Sequence, residues 1–114
     1  MPLELCVYQT ASGEQPFSDW LRDLVDRQAR VRVDARLARI PHGNFGDVEP
    51  VGEGVMELRV DWGPGYRVYL ARLGQVIVPL LCGGDKRTQQ KDIRRAKAYF
   101  DDFKARTKKE KRAS

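Results

Sequence analysis

A chain of 114 residues, 41% of them hydrophobic, has room for one domain of ordinary size that buries a core without disulfides or metal. Its formal net charge of +5, from 21 Lys and Arg against 16 acids, and its pI near 9.5 point to a polyanionic partner without naming it. Cys6 and Cys82 stand far apart in apolar runs with no Cys or His at ligand spacing, so both read as reduced core residues. The chain shows no signal-peptide pattern and no run of about 18 apolar residues, which predicts a soluble, cytoplasmic protein outside the membrane.

Residues 3–9 alternate weakly, with Leu3, Leu5 and Val7 on one side, and read as a first strand that Ser12 and Gly13 break. Pro16 opens a helix in which Phe17, Trp20, Leu21 and Leu24 recur at i, i+3, i+4 and i+7. Helical spacing continues over 26–39, with Val33, Leu37 and Ile40 inward and most of the arginines outward, until Pro41, Gly43 and Gly46 stop it. The Gly- and Pro-rich residues 41–54 read as a loop, in which His42 is a solvated turn residue.

From residue 55 the period becomes two. Met56, Leu58 and Val60 oppose Glu57, Arg59 and Asp61. After Trp62-Gly63-Pro64-Gly65 the alternation resumes with Tyr66, Val68 and Leu70 against Arg67 and Tyr69. A third strand over 76–82 is apolar on both faces, and Pro79 predicts a bulge or an unpaired edge there. Gly83, Gly84 and Asp85 close it. Thr88 then caps a last helix carrying Ile93, Ala96, Phe100 and Phe103 on one face. The domain is expected to span residues 1–103, and the basic residues 104–114 to form a disordered tail.

Pairing the two alternating strands with an even register sets Met56, Leu58 and Val60 beside Tyr66, Val68 and Leu70; an odd one sets them against Arg67 and Tyr69 and wastes the apolar face. The even register therefore places Arg59 and Arg67 together on the outer face, with Glu57 and Tyr69 one step along. Glu57 and Asp61 are expected to offset their repulsion. Arginine binds phosphate oxygens with a planar fork that stays charged. Lys86 can reach the same rim as donor or general acid, and Glu57 can accept a proton. The catalytic candidates are thus Glu57, Arg59, Arg67 and Lys86, enough to cleave RNA without metal by attack of a 2′-hydroxyl on its own phosphate. Tyr69, Arg87 and Lys91 are the substrate-binding candidates. The same charges also read as a cross-strand salt-bridge ladder, Tyr69 as a packing residue, and Lys86 and Arg87 as solvated charges. No metal or cofactor is expected: Gly83-Gly84-Asp85-Lys86 lacks the Walker spacing, and Asp85 and Asp92 lack clustered carboxylates.

The run G-V-M-E-L-R-V-D-W-G-P-G-Y-R-V-Y over 54–69, with L-L-C-G-G-D-K from Leu80 and T-Q-Q-K-D-I-R-R-A-K from Thr88, closely resembles the RelE/ParE toxin superfamily and, within it, the HigB-like branch of phage-related addiction-module killer proteins. The resemblance is strong over residues 54–97. It implies a RelE-like α+β fold of order β-α-α-β-β-β-α, an antiparallel sheet covered on one face by a helix pair and followed by a C-terminal helix. It also implies the toxin of a type II toxin–antitoxin pair, neutralised by a helix-turn-helix antitoxin and binding operator DNA only together with it. RelE-like and HigB-like relatives cleave mRNA in the ribosome, whereas ParE-like relatives poison DNA gyrase. Arg67, Arg59 and Lys86 match the family's basic positions. Some relatives carry lysine where Glu57 stands, and the terminal tyrosine and the histidines of other members have no counterpart here. The alternatives are therefore an mRNA-cleaving enzyme, a gyrase inhibitor without nuclease activity, and a degenerate toxin that acts through its antitoxin and operator.

Overall fold

The computed structural model describes residues 2–113 as a five-stranded sheet with helices on both faces. In chain order the elements are β1 (Glu4–Val7), α1 (Pro16–Asp23), α2 (Arg27–Leu37), β2 (Val48–Gly52), β3 (Val55–Val60), β4 (Tyr66–Ala71), β5 (Ile77–Asp85) and α3 (Gln89–Ala113), with short 3-10 turns at Ile40–His42 and Lys86–Thr88. The strand order is β1-β5-β4-β3-β2. β1 runs parallel to β5 and the other pairs are antiparallel, so the sheet is mixed where an antiparallel one was expected. Among the described residues no helix is long and apolar enough to cross a membrane.

The extra strand is β2, which lies inside the segment read as a loop. Positive φ at both Glu53 and Gly54 (56° and 83°) makes the tight turn that folds β2 back on β3. Pro50 is tolerated because β2 is an edge, where a missing N–H faces no neighbour. Composition alone hid this, because the residues that make a tight hairpin also make loops.

β3 and β4 pair in the even register, Leu58 with Val68, Arg59 with Arg67 and Glu57 with Tyr69. Leu58, Val60, Val68 and Leu70 face α1 and α2 and join Phe17, Val33, Leu37 and Ile40 in one core. The opposite face is not open. It carries a second core in which Val55, Tyr69, Ala71 and Leu81 meet Tyr8, Ala96 and Phe100 beneath α3. The C-terminal helix therefore covers the face on which the charged candidates were expected to be exposed.

β5 is central, with Pro79 fully buried. The β4 ladder is shifted between Tyr69, paired with Cys82, and Leu70, paired with Leu80, which leaves Leu81 as the bulged residue. Pro79 pairs with Cys6 of β1 and lies one residue past the end of the β4 ladder, so its missing donor costs no ladder bond to β4. The bulge thus falls two residues from where the proline suggested it. Cys6 is half-buried and Cys82 buried, and both are free thiols.

Gly83 and Gly84 belong to β5 and mark close approaches from its two faces. A Cβ on Gly83 would run into the Trp20 indole of α1, and one on Gly84 into the Asp92 carboxylate of α3. α3 also runs past residue 103 through Ala113, where a disordered tail was expected; Ser114 lies outside the described residues. Its later turns are tied down. Asp102 accepts the Tyr8 hydroxyl at 2.6 Å and pairs with Arg106 at 2.8 Å, Arg106 donates to the Gln9 carbonyl, and Tyr8 stacks on Tyr99 with centroids 4.9 Å apart. Gly83→Ala or Gly84→Ala should each cost about 1–3 kcal/mol of stability by overpacking, read as a lowered urea midpoint.

Candidate active site

The charged candidates sit where β3, β4, the 62–65 turn and the end of β5 meet. Across the β3–β4 pair Arg59 and Arg67 lie side by side, and each has its own counter-charge. Arg59 Nη2 reaches Asp47 at 2.8 Å and Glu49 at 3.2 Å, both from the segment that leads into and forms β2. That hydrogen bond lowers the Asp47 pKa and raises that of Arg59. Arg67 Nε lies 3.7 Å from Glu57 Oε1 and finds no hydrogen-bond partner among the described residues. Asp47, Glu49 and Glu57 therefore offset the repulsion; Asp61, expected to share that role, enters no ion pair among the described residues.

Glu57 is only 2% exposed. Its Oε2 accepts the Tyr69 hydroxyl at 3.0 Å and Gln89 Nε2 of α3 at 2.8 Å. A carboxylate so enclosed cannot meet a 2′-hydroxyl arriving from solvent, and its geometry orients Arg67 instead of abstracting a proton. Tyr69 is 0% exposed, so its ring packs in the α3 core and offers no platform for a base. Burial first, then the nearby Glu57 charge, push its hydroxyl pKa well above the ordinary value.

Arg59, Arg67 and Lys86 do converge. With Asp47, Asp61 and the turn residues 63–65 they line one open cleft of about 380 Å³. Lys86 is placed there by its own backbone, whose N–H donates to the Gly65 carbonyl at 3.0 Å and links the end of β5 to the β3–β4 turn. Its side chain is exposed. Arg87 is instead tied back to Asp85 at 2.9 Å, and Lys91 is exposed on α3 outside the cleft lining. Asp85 caps the 3-10 turn by accepting the Arg87 N–H at 2.8 Å, and its pKa is lowered by the same arginine.

Sequence reasoning missed Asp47, Glu49 and Gln89. The Asp-x-Glu alternation at 47 and 49 was a strand signal, hidden among the glycines and prolines around it. Gln89 carried no signal, because only the docking of α3 brings it to Glu57. Arg67 and Arg59 line the cleft with two guanidinium groups and Lys86 with an ammonium, groups suited to an anion with several oxygens.

No protein-family model and no solved structure matches the chain. It is 52% identical over 81 residues to an "Uncharacterized protein" of Haemophilus influenzae, covering 71% of this chain and 82% of that relative.

Glu57→Ala leaves Tyr69 and Gln89 without their acceptor and Arg67 without its counter-charge, and should cost about 3–5 kcal/mol in chemical denaturation. Tyr69, and Tyr8 at about 12, both hold their protons to higher pH in the folded chain than in the unfolded one. Their contribution is complete below about pH 10 and is lost as pH rises beyond it. The urea midpoint should therefore decline above that pH, and Tyr69→Phe should make the decline shallower.

Proposed function

The chain belongs to the same family as the Haemophilus influenzae protein, and from the cleft that Arg59, Arg67 and Lys86 line together we propose that it is a RelE-like toxin that cleaves mRNA. The convergence of these three cations on one cleft carries the reading. The resemblance to HigB-like toxins over residues 54–97 supplies the substrate, ribosome-bound mRNA.

The phosphodiester sits against the two guanidinium groups, whose donors neutralise the charge that builds on the non-bridging oxygens as phosphorus becomes five-coordinate. The 2′-oxygen attacks phosphorus, the P–O2′ bond forms and the P–O5′ bond breaks. The products are a 2′,3′-cyclic phosphate and a 5′-hydroxyl. Asp61, the lining carboxylate not bound to Arg59, takes the 2′-hydroxyl proton, and the Lys86 ammonium gives one to the leaving 5′-oxygen. Glu57 acts behind them by holding Arg67 in line. As a toxin the chain is silenced by a helix-turn-helix antitoxin and meets operator DNA only in that complex. An acidic antitoxin segment over the basic cleft would lose affinity as salt rises.

Lys86 is exposed, so Lys86→Gln leaves the fold unburdened. It should lower cleavage at least about 10²-fold, relieve growth arrest on expression, and remove the new mRNA 5′ ends seen by primer extension. Undiminished arrest by this variant without new 5′ ends, or inhibition of gyrase supercoiling by the purified protein, would sink the reading.

A further inference from the structure

The cleft lined by Arg59, Arg67 and Lys86 does not end at Asp61. Val60 and Asp61 are shared with a second cleft of about 250 Å³, whose other lining residues are Arg32, Ala35, Arg36 and Arg39 of α2 and the turn after it. Over residues 27–39 this segment carries five arginines and one acid, Asp34.

The three arginines of the second cleft are held differently. Arg36 has a structural task, donating to the backbone carbonyls of Arg59 and Phe45. Arg32 lies 3.9 Å from the centroid of the Trp62 ring, and Trp62 is pinned in turn by its Nε1 donating to Asp26 at 2.8 Å. Stacking occupies the flat face of a guanidinium and leaves the donors in its plane free for an anion. Arg39 is exposed and, among the described residues, makes no ion pair or side-chain hydrogen bond.

We infer that Arg32 and Arg39 form a second phosphate subsite, which takes a neighbouring phosphate of the same RNA strand whose scissile phosphate lies between Arg59, Arg67 and Lys86. The inference rests on the RNA-cleaving reading and extends it from one phosphate to a strand. Asp61 stands between the two groups of cations, as the carboxylate that both clefts share. Single-stranded RNA has the matching order, with anionic phosphates separated by sugars that carry hydroxyl donors for Asp61.

The test is an NMR titration of the full chain with two noncleavable 2′-O-methyl ligands, a dinucleotide with one phosphodiester and a hexanucleotide, at several salt concentrations. Arg39→Gln alone, and together with Arg32→Gln, should weaken the hexanucleotide up to about tenfold and reduce its salt slope by about 0.7, the loss of one phosphate contact on a single strand. Neither should change dinucleotide affinity, while Lys86→Gln should weaken both ligands. If hexanucleotide affinity and slope stay unchanged in both arginine variants while Lys86→Gln weakens both ligands, the subsite is wrong and the cleft reading stands. If Lys86→Gln affects neither ligand, the cleft reading fails and the subsite with it. Equal weakening of both ligands by the arginine variants also overturns the subsite. The single variant Arg39→Gln keeps the test valid should loss of the Arg32 stack on Trp62 disturb the fold.

Discussion

A carboxylate enclosed in the interior must be met by donors, and Glu57 accepts from a hydroxyl of β4 and an amide of α3 while the Arg67 guanidinium faces it at 3.7 Å. Tyr69 comes from the neighbouring strand, Gln89 from the first turn of α3, and Arg67 from the position beside Arg59. Satisfying Glu57 therefore docks the last helix onto the sheet and points Arg67 toward the cleft in the same act. The fold and the site share this group, and moving α3 away would take the Gln89 donor from Glu57.

The sheet that results is wrapped on both sides, and β5 is the strand that makes this possible. Leu80 faces the core under α1 and α2, while the bulge turns Leu81 and Cys82 toward α3. Gly83 then lets Trp20 in from one side, and Gly84 lets Asp92 in from the other. Two adjacent glycines at the end of a strand thus admit side chains of the flanking helices close to the backbone. Lys86 emerges directly after this thinned stretch, and its bond to the Gly65 carbonyl holds it at the rim of the cleft.

The cleft joins two kinds of cation. Arg67 is largely enclosed, with 14% of its side chain exposed, and its direction is set from behind by Glu57. Arg59 is more open at 30% and is held from the edge strand by Asp47 and Glu49. These carboxylates lower the repulsion between neighbouring guanidinium groups. Lys86 adds a charge that makes no ion pair among the described residues. The three cations thus grade from an enclosed one to an exposed one.

The period-two rows of residues 55–70 determined the parity of the β3–β4 register from the sequence alone, because an odd one sets Leu58 and Val68 on opposite faces, and with it placed Arg59 and Arg67 on one face; their direct pairing is seen in the structure. The two N-terminal helices and the last one were legible in the same way, from apolar stripes at helical spacing. What the sequence could not show was which charges stay in water. Glu57 and Tyr69 alternate like solvent-facing residues, and only the placement of α3, decided by Ala96 and Phe100 finding the second face of the sheet, encloses them. β2 escaped for a related reason: its strand character comes from a partner, β3, and not from its own glycine- and proline-rich composition. Local pattern decides which side chains share a face; the long-range contacts of the last helix decide whether that face is a surface or a core.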